Sequence, residues 1–219
     1  NLYGGTGNDV LVGGTGNDTL DGGEGTDSYV FNLGDGADTI YDYEYNKLKK
    51  GTDRIVFGEG IKKEDVSLER NGNHLVVTYS EKDKVTIQNA YAYAEGYGYV
   101  GQVEFADGSV WKLEDMIEIT RRKNGSEGAD SLTGYGKNSV YNNNEIFHAG
   151  AGNDQVSAGD GADELYGEAG NDNLYGGTGN DVLVGGTGND TLDGAEGSDS
   201  YIFNIGDGAD TISDYEYNK

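Results

Sequence analysis

The chain has 219 residues, of which 40 are Asp or Glu and 15 are Lys or Arg, giving a net charge of −25 and a pI near 4.1. That excess makes nucleic acid and anionic membrane surfaces poor partners. The absence of cysteine excludes a disulfide framework, a zinc–thiolate site and a thiol nucleophile.

Glycine contributes 39 residues, against the ~15 of an average chain this long, and proline is absent. With 34% hydrophobic residues and a mean hydropathy of −0.68, a chain so self-repelling sits near the disordered class unless a counter-cation supplies the missing attraction. No apolar run approaches the ~18 residues of a membrane span, and Asn1-Leu2-Tyr3 opens no secretory leader. The pattern is already running at Asn1 and still running at Lys219, as in a piece of a longer repetitive protein.

From the N-terminus, the nine-residue phrases Gly4-Gly-Thr-Gly-Asn-Asp9-Val-Leu11-Val, Gly13-Gly-Thr-Gly-Asn-Asp18-Thr-Leu20-Asp and Gly22-Gly-Glu-Gly-Thr-Asp27-Ser-Tyr29-Val follow one another without a break. The template is G-G-x-G-x-D-x-U-x, with U apolar. Gly36-Ala37-Asp38 closes this first block, which we bound at residues 1–42.

Residues 43–124 follow other rules: little glycine and several β-type runs. Arg54–Phe57, Leu75–Tyr79 and Val85–Gln88 are predicted strands, with a turn at Asn71-Gly72-Asn73. Val103–Phe105 and Ser109–Trp111 are predicted to form a hairpin across Ala106-Asp107-Gly108, and Lys62–Val66 and Leu113–Ile117 a turn or two of helix each. This segment reads as a β-rich insert with a core of its own.

Residues 125–219 return to the nonapeptide frame, through Asp130 and then Asp154, Asp163, Asp172, Asp181, Asp190, Asp199 and Asp210. A worn copy puts Glu145 in the Asp place and Phe147 in the apolar place; Glu145 reads first as a capping or surface residue. Residues 173–219 repeat residues 1–47 without gaps, differing only at Gly23/Ala195, Thr26/Ser198, Val30/Ile202, Leu33/Ile205 and Tyr41/Ser213.

Six residues of this phrase form a turn that glycine traces most cheaply, and three form a short strand whose eighth-position side chain points inward. Two phrases complete one coil, so each repeat stacks on the repeat after next. Stacking brings Asp carboxylates and turn carbonyls together every ~4.8 Å, which is repulsive without a cation between them. Hard oxygen ligands on a flexible turn suit Ca²⁺ better than Mg²⁺, and the scarcity of His and absence of Cys disfavour transition metals. The metal-ligand candidates are Asp9, Asp18, Asp27, Asp38, Asp130, Asp154, Asp163, Asp172, Asp181, Asp190, Asp199 and Asp210. Pairing them through the stack gives roughly seven ions. Each ion bound only by the folded chain would add ~2.7 kcal/mol at a hundredfold excess over its Kd, so calcium should decide between folded and unfolded.

Gly4 to Val30 and Gly176 to Ile202 resemble the RTX (repeats-in-toxin) nonapeptide array. The interleaving of Tyr29-Val-Phe31-Asn, Gly34-Asp-Gly-Ala-Asp38 and the insert is similar to the iron-regulated RTX exoproteins of Gram-negative pathogens, Neisseria among them, and to the fourth RTX toxin of Actinobacillus. The resemblance implies an all-β fold of parallel β-roll blocks flanking the insert, export through the type I secretion apparatus by a C-terminal signal that this chain lacks, and calcium-driven folding outside the cell. It also implies that the Asp residues above, with turn carbonyls, hold the ions. Ala149 and Ala158 replace the first glycine, Ser126, Glu168 and Ala195 the second, and Leu33 and Ile205 stand at the first position, so those sites should be weaker or distorted. Self-cleavage at Asp-Pro, known in some relatives, is excluded by the lack of proline.

No catalytic motif is present. His74 and His148 are far apart in sequence and belong to no His-Glu-x-x-His helix; Gly-x-Ser-x-Gly and phosphate-loop patterns are missing. The run Tyr91-Ala-Tyr93-Ala-Glu-Gly-Tyr97-Gly-Tyr99 is the one feature that calcium folding does not require. It is expected to cover the insert's core, or in a second reading to present an aromatic platform to a glycan or host surface.

Overall fold

The computed structural model describes residues 1–41, 53–91, 100–135 and 144–215. They form two compact units, Asn1–Thr120 and Arg121–Lys219.

In the second unit the period of nine becomes strands that alternate between two parallel sheets. One sheet contains β12 (Arg122–Asn124), β14 (Ile146–His148), β16 (Glu164–Ala169), β18 (Val182–Thr187) and β20 (Ser200–Tyr201); the other contains β13 (Ser131–Thr133), β15 (Gln155–Asp160), β17 (Asn173–Thr178), β19 (Thr191–Glu196) and β21 (Thr211–Ile212). Each strand pairs in register with the strand two repeats on, Leu165 with Leu183 and Leu174 with Leu192. The eighth-position residues therefore stack. Phe147, Val156, Leu165, Leu174, Leu183 and Leu192 form one buried file with Ala149 and Ala158, and Leu132 and Tyr201 pack against its ends. This is the parallel β-roll.

The glycines explain why the turn can be this tight. Gly177 and Gly179 hold φ of 114° and 134°, where a side chain is strained, and a Cβ on either would land on the carbonyl of the coil before, at Gly159 and Gly161. Glu168 and Ala195 occupy equivalent second positions and keep the left-handed turn, at φ of 73° and 66°, despite carrying a Cβ.

The first unit begins the same way, with β1 (Leu2–Gly7), β2 (Val10–Val12), β3 (Thr19–Gly25), β4 (Ser28–Phe31) and β5 (Ala37–Ile40). It continues with β6 (Asp53–Phe57), β7 (Ser67–Asn71), β8 (His74–Thr78), β9 (Lys84–Ile87), β10 (Val100–Glu104), β11 (Val110–Lys112) and helix α1 (Leu113–Thr120). A short 3₁₀ turn covers Lys63–Asp65, and β10 and β11 pair antiparallel as the predicted hairpin.

The insert does not close a separate core. β6 pairs parallel on β4, Tyr29 opposite Ile55 and Phe31 opposite Phe57, and β9 pairs parallel on β5, Ile40 opposite Ile87. The roll's two sheets thus run straight into the non-repetitive segment. Antiparallel β7–β8 and β10–β11 then finish the two sheets. The roll's apolar file continues through Phe31, Tyr79, Phe57 and Phe105 to Trp111, with successive ring centroids 4.9 to 6.4 Å apart. The physical reason is edge satisfaction: a coil end carries unpaired strand groups that must be covered.

Candidate metal centres

Each nonapeptide Asp sits where the turn enters the strand, and its two oxygens have different fates. Oδ1 accepts the backbone N–H of the Asp one coil earlier: Asp154 N–H donates to Asp172 Oδ1, Asp163 to Asp181 and Asp172 to Asp190, all at 2.8 Å. The same rung joins Asp9 to Asp27 at 2.7 Å, Asp18 to Asp38 and Asp130 to Asp154 at 2.8 Å, and Asp181 to Asp199 and Asp190 to Asp210 at 2.9 Å. The carboxylates form ladders along the roll.

Oδ2 points the other way. In Asp9, Asp38, Asp154, Asp163, Asp172, Asp181, Asp190 and Asp199 it is buried and receives no hydrogen bond. The residues Asp154, Asp163, Asp172, Asp181 and Asp190 are at most 1% exposed. A buried carboxylate oxygen without a donor carries a large desolvation cost. That cost appears as weakened acidity: burial, the largest cause, pushes Asp163 up to about 7 and Asp172 and Asp181 up to about 6, with neighbouring carboxylates such as Asp181, Asp190 and Asp199 adding to it. Asp38 and Asp190 are raised for the same reason.

Where the first position is glycine, it keeps the space beside Oδ2 open; Ala149 and Ala158 stand there in the repeats of Asp154 and Asp163. A Cβ at Gly4 would come within 2.7 Å of Asp9 Oδ2 and 2.6 Å of the Gly22 carbonyl oxygen; at Gly167 it would lie 2.5 Å from both Asp172 Oδ2 and the Gly185 carbonyl. A carboxylate oxygen and a carbonyl from the neighbouring coil therefore flank one small polar gap. These are hard oxygen donors, which fit Ca²⁺. Among the described residues no three acidic or histidine side chains converge on one point, so a bound ion would take much of its shell from turn carbonyls.

Not every predicted residue is equivalent. Asp130 Oδ2 is taken by the Ser126 amide and hydroxyl at 2.6 and 2.8 Å. Those bonds, the hydroxyl first, hold its carboxyl below the usual range. Two further residues share the Asp position. Asp53, 1% exposed, accepts the Asp27 N–H at 2.6 Å; its signal, Gly51-Thr-Asp53-Arg-Ile55, carries the Gly-x-Asp-x-apolar half of the template. Glu145, equally buried, gives its N–H to Asp163 Oδ1 at 2.6 Å, which corrects its reading as a surface residue.

In the other column the ladder stops at Asp38, because Val85 stands opposite it. Asp83 instead closes the turn, accepting the Gly34 and Gly36 amides at 2.9 and 3.0 Å and the Ser80 hydroxyl at 2.6 Å.

The remaining candidates have structural surroundings. Tyr91 is buried, its hydroxyl 2.8 Å from Thr120 Oγ1 and its ring under the Arg70 guanidinium at 4.6 Å. It packs in the core and offers no platform. Tyr93, Tyr97 and Tyr99 lie outside the described residues. His74 Nδ1 accepts the Asn89 N–H at 3.0 Å, and His148 stacks on Tyr166 and meets Glu168 at 2.9 Å.

The model of the RTX calcium-binding nonapeptide repeat family matches residues 3–40, 139–174, 166–201 and 175–212, more than half of the chain and the stretches that carry the ladders. The chain belongs to this family. A second model, the haemolysin-type calcium binding protein related domain, matches residues 74–115, a stretch that contains β8 to β11. The iron-regulated protein FrpA of Neisseria meningitidis serogroup C is 38% identical over 118 residues, 52% of this chain and 10% of FrpA. The crystal structure of the extracellular lipase LipA from Serratia marcescens aligns with 95% of this chain and 31% of its own at 20% identity, with a TM-score of 0.36 too low to carry an argument. The matched part of this RTX segment covers about a tenth of the length of FrpA.

Proposed function

We propose that this RTX segment is a non-catalytic folding switch that works after export. It leaves the cell unfolded through a type I secretion apparatus and compacts when extracellular calcium enters its turns. The observation that carries this reading is the file of buried, donor-less Oδ2 atoms from Asp154 to Asp190. Without a cation they oppose the fold that buries them.

Calcium, when bound, neutralises that charge and supplies the partner each Oδ2 lacks. The residues that would hold it are the ladder Asp residues with the carbonyls facing them, Asp53 joining the predicted set. Asp130 contributes least, since Ser126 already occupies it. Roughly seven ions follow from the coil count. The chain's own residues do the rest: Oδ1 rungs fix the carboxylates in register, the first glycines leave room beside Oδ2, and the eighth-position file closes the roll.

The test is small-angle scattering combined with equilibrium dialysis against calcium. The reading expects an expanded, metal-free chain in chelator that contracts as several ions bind, with no contraction in magnesium. A chain equally compact in chelator and calcium would overturn it.

A further inference from the structure

We propose that the Tyr29 hydroxyl is a metal ligand: the cation held at Asp27 takes a phenol oxygen where other gaps offer a backbone carbonyl, and Tyr201 repeats the arrangement at Asp199. The inference rests on the calcium reading above and adds to it a ligand that the nonapeptide template does not specify.

Tyrosine fills the eighth position of the frame twice, at Tyr29 and Tyr201; Leu, Ile, Val or Phe fills it elsewhere, and none of these brings an oxygen. Both tyrosines precede the same departure from the template, Asn32-Leu-Gly-Asp-Gly-Ala-Asp38 and Asn204-Ile-Gly-Asp-Gly-Ala-Asp210.

Both also sit where a strand pairing breaks off. Where the stack continues, the first-position amide donates to the ninth-position carbonyl one coil on, as Gly125 does to His148 O, Gly134 to Ser157 O and Ala149 to Tyr166 O, each at 2.8 Å. Between β3 and β5 the register reaches only as far as Leu20 opposite Ile40. The following ladder amide, Gly22 N–H, donates instead to Tyr29 Oη at 2.9 Å. Gly194 N–H likewise donates to Tyr201 Oη at 2.8 Å, just past Leu192 opposite Ile212. The hydroxyl is thereby drawn back across the turn onto the first glycine of its own repeat.

That glycine borders the ion gap. At Gly4 and Gly167 an added Cβ would strike Oδ2 of the ladder Asp on one side and a carbonyl of the neighbouring coil on the other, Gly22 O at 2.6 Å and Gly185 O at 2.5 Å. At Gly22 it would strike Asp27 Oδ2 and, at 2.6 Å, the phenol oxygen of Tyr29. Tyr29 is fully buried, so its oxygen stands beside the carboxylate in the place that a carbonyl takes in the other gaps. At Gly194 the nearest atoms to such a Cβ belong to Asp199, Oδ2 first, and that Oδ2 is buried with no donor.

The hydroxyl has bonding capacity to spare. It offers one proton and two lone pairs. At Tyr201 the proton serves a hydrogen bond to the Asp214 carboxylate and one lone pair takes the Gly194 amide, which leaves one lone pair for a cation. A neutral phenol oxygen is a hard donor like the carbonyl it replaces, so it suits Ca²⁺ and adds no charge to a gap already crowded with carboxylates.

Two measurements test this. Anomalous diffraction from crystals of the 219-residue chain grown with calcium locates each ion, and ions are expected within about 2.6 Å of Tyr29 Oη and of Tyr201 Oη. In solution terbium serves as the probe, its emission excited through tyrosine, a transfer that falls steeply with distance. Tyr29→Phe and Tyr201→Phe keep the ring in the buried file and remove the oxygen. Each is expected to lose a large share of the sensitised emission and the double variant to lose it several-fold, while Tyr91→Phe, whose hydroxyl meets Thr120, keeps it. Circular dichroism on the same samples checks folding, and Tyr201→Phe is read in place of Tyr29→Phe where the latter does not fold. Emission reports nearness and diffraction reports the bond. Ions that fill the gaps but leave both phenol oxygens outside bonding distance, or a folded double variant as bright as wild type, would overturn the proposal. Gaps that stay empty in calcium would instead overturn the function proposed above.

Discussion

Asp172 links two coils at once: its Oδ1 accepts the Asp154 N–H at 2.8 Å, while its Oδ2 is buried with no donor. One carboxylate thus carries a structural rung on one oxygen and, under the proposed function, would offer the other to a cation.

Two substitutions at Asp172 separate those two roles. Asp172→Asn keeps an oxygen for the rung and removes the charge, so calcium affinity should fall while stability at saturating calcium is largely kept. Asp172→Ala removes both and leaves a buried amide without its acceptor, costing ~1–3 kcal/mol even with calcium present. Urea unfolding at limiting and at saturating calcium distinguishes the two. Equal losses for both variants under both conditions would contradict the division.

Acid should partly replace calcium. Asp163, Asp172 and Asp181 have folded-state values near 7, 6 and 6, above the ordinary 3.8. A group raised on folding contributes stability that is fully present below its unfolded value and lost as pH rises through its folded value. In chelator, roll content should therefore increase as pH falls from about 7 to about 4. Circular dichroism across that range checks the sign. Calcium binding near neutral pH should also release protons, measurable with an indicator dye.

Much of this site is legible in the sequence because each requirement repeats. Period nine places Leu165, Leu174 and Leu183 in one file and Asp163, Asp172 and Asp181 in the ladders. Asp53 escapes because only the second half of the template surrounds it, the glycines at the first two places being absent. Alternation identifies Arg54–Phe57 and Val85–Gln88 as strands, but a strand's pattern does not say which edge it covers. Their role as the lid of the first roll follows from the unsatisfied edge of β4 and β5. The Ser126 cap on Asp130 was equally hidden: a hydroxyl four residues before a carboxylate is unremarkable until the turn folds it back.

The left-handed second positions allow opposite substitutions with opposite signs. Ala195 holds φ of 66°, so Ala195→Gly should stabilise the calcium-bound roll by ~1 kcal/mol. Gly177→Ala combines a φ of 114° with a clash on the Gly159 carbonyl and should destabilise by more than that. Thermal melts in calcium test both; a stabilising Gly177→Ala would contradict the turn geometry.

Asp53→Ala tests whether the ladder truly crosses into the non-repetitive segment. It should reduce the number of calcium ions bound and loosen the β4–β6 junction, while the second unit's transition is unchanged. Amide exchange at Asp27, whose N–H is held by Asp53 Oδ1 at 2.6 Å, reports the junction directly. Exchange as slow as wild type together with full stoichiometry would remove Asp53 from the set.

The most direct test of the central claim is far-UV circular dichroism during a calcium titration, with magnesium as control, on wild type and on the combined Asp172→Asn, Asp181→Asn, Asp190→Asn variant. The account predicts a cooperative coil-to-β transition in calcium alone, shifted to higher calcium in the variant although its rungs are retained. A β spectrum already present in chelator at neutral pH, or a variant that titrates like wild type, would contradict it.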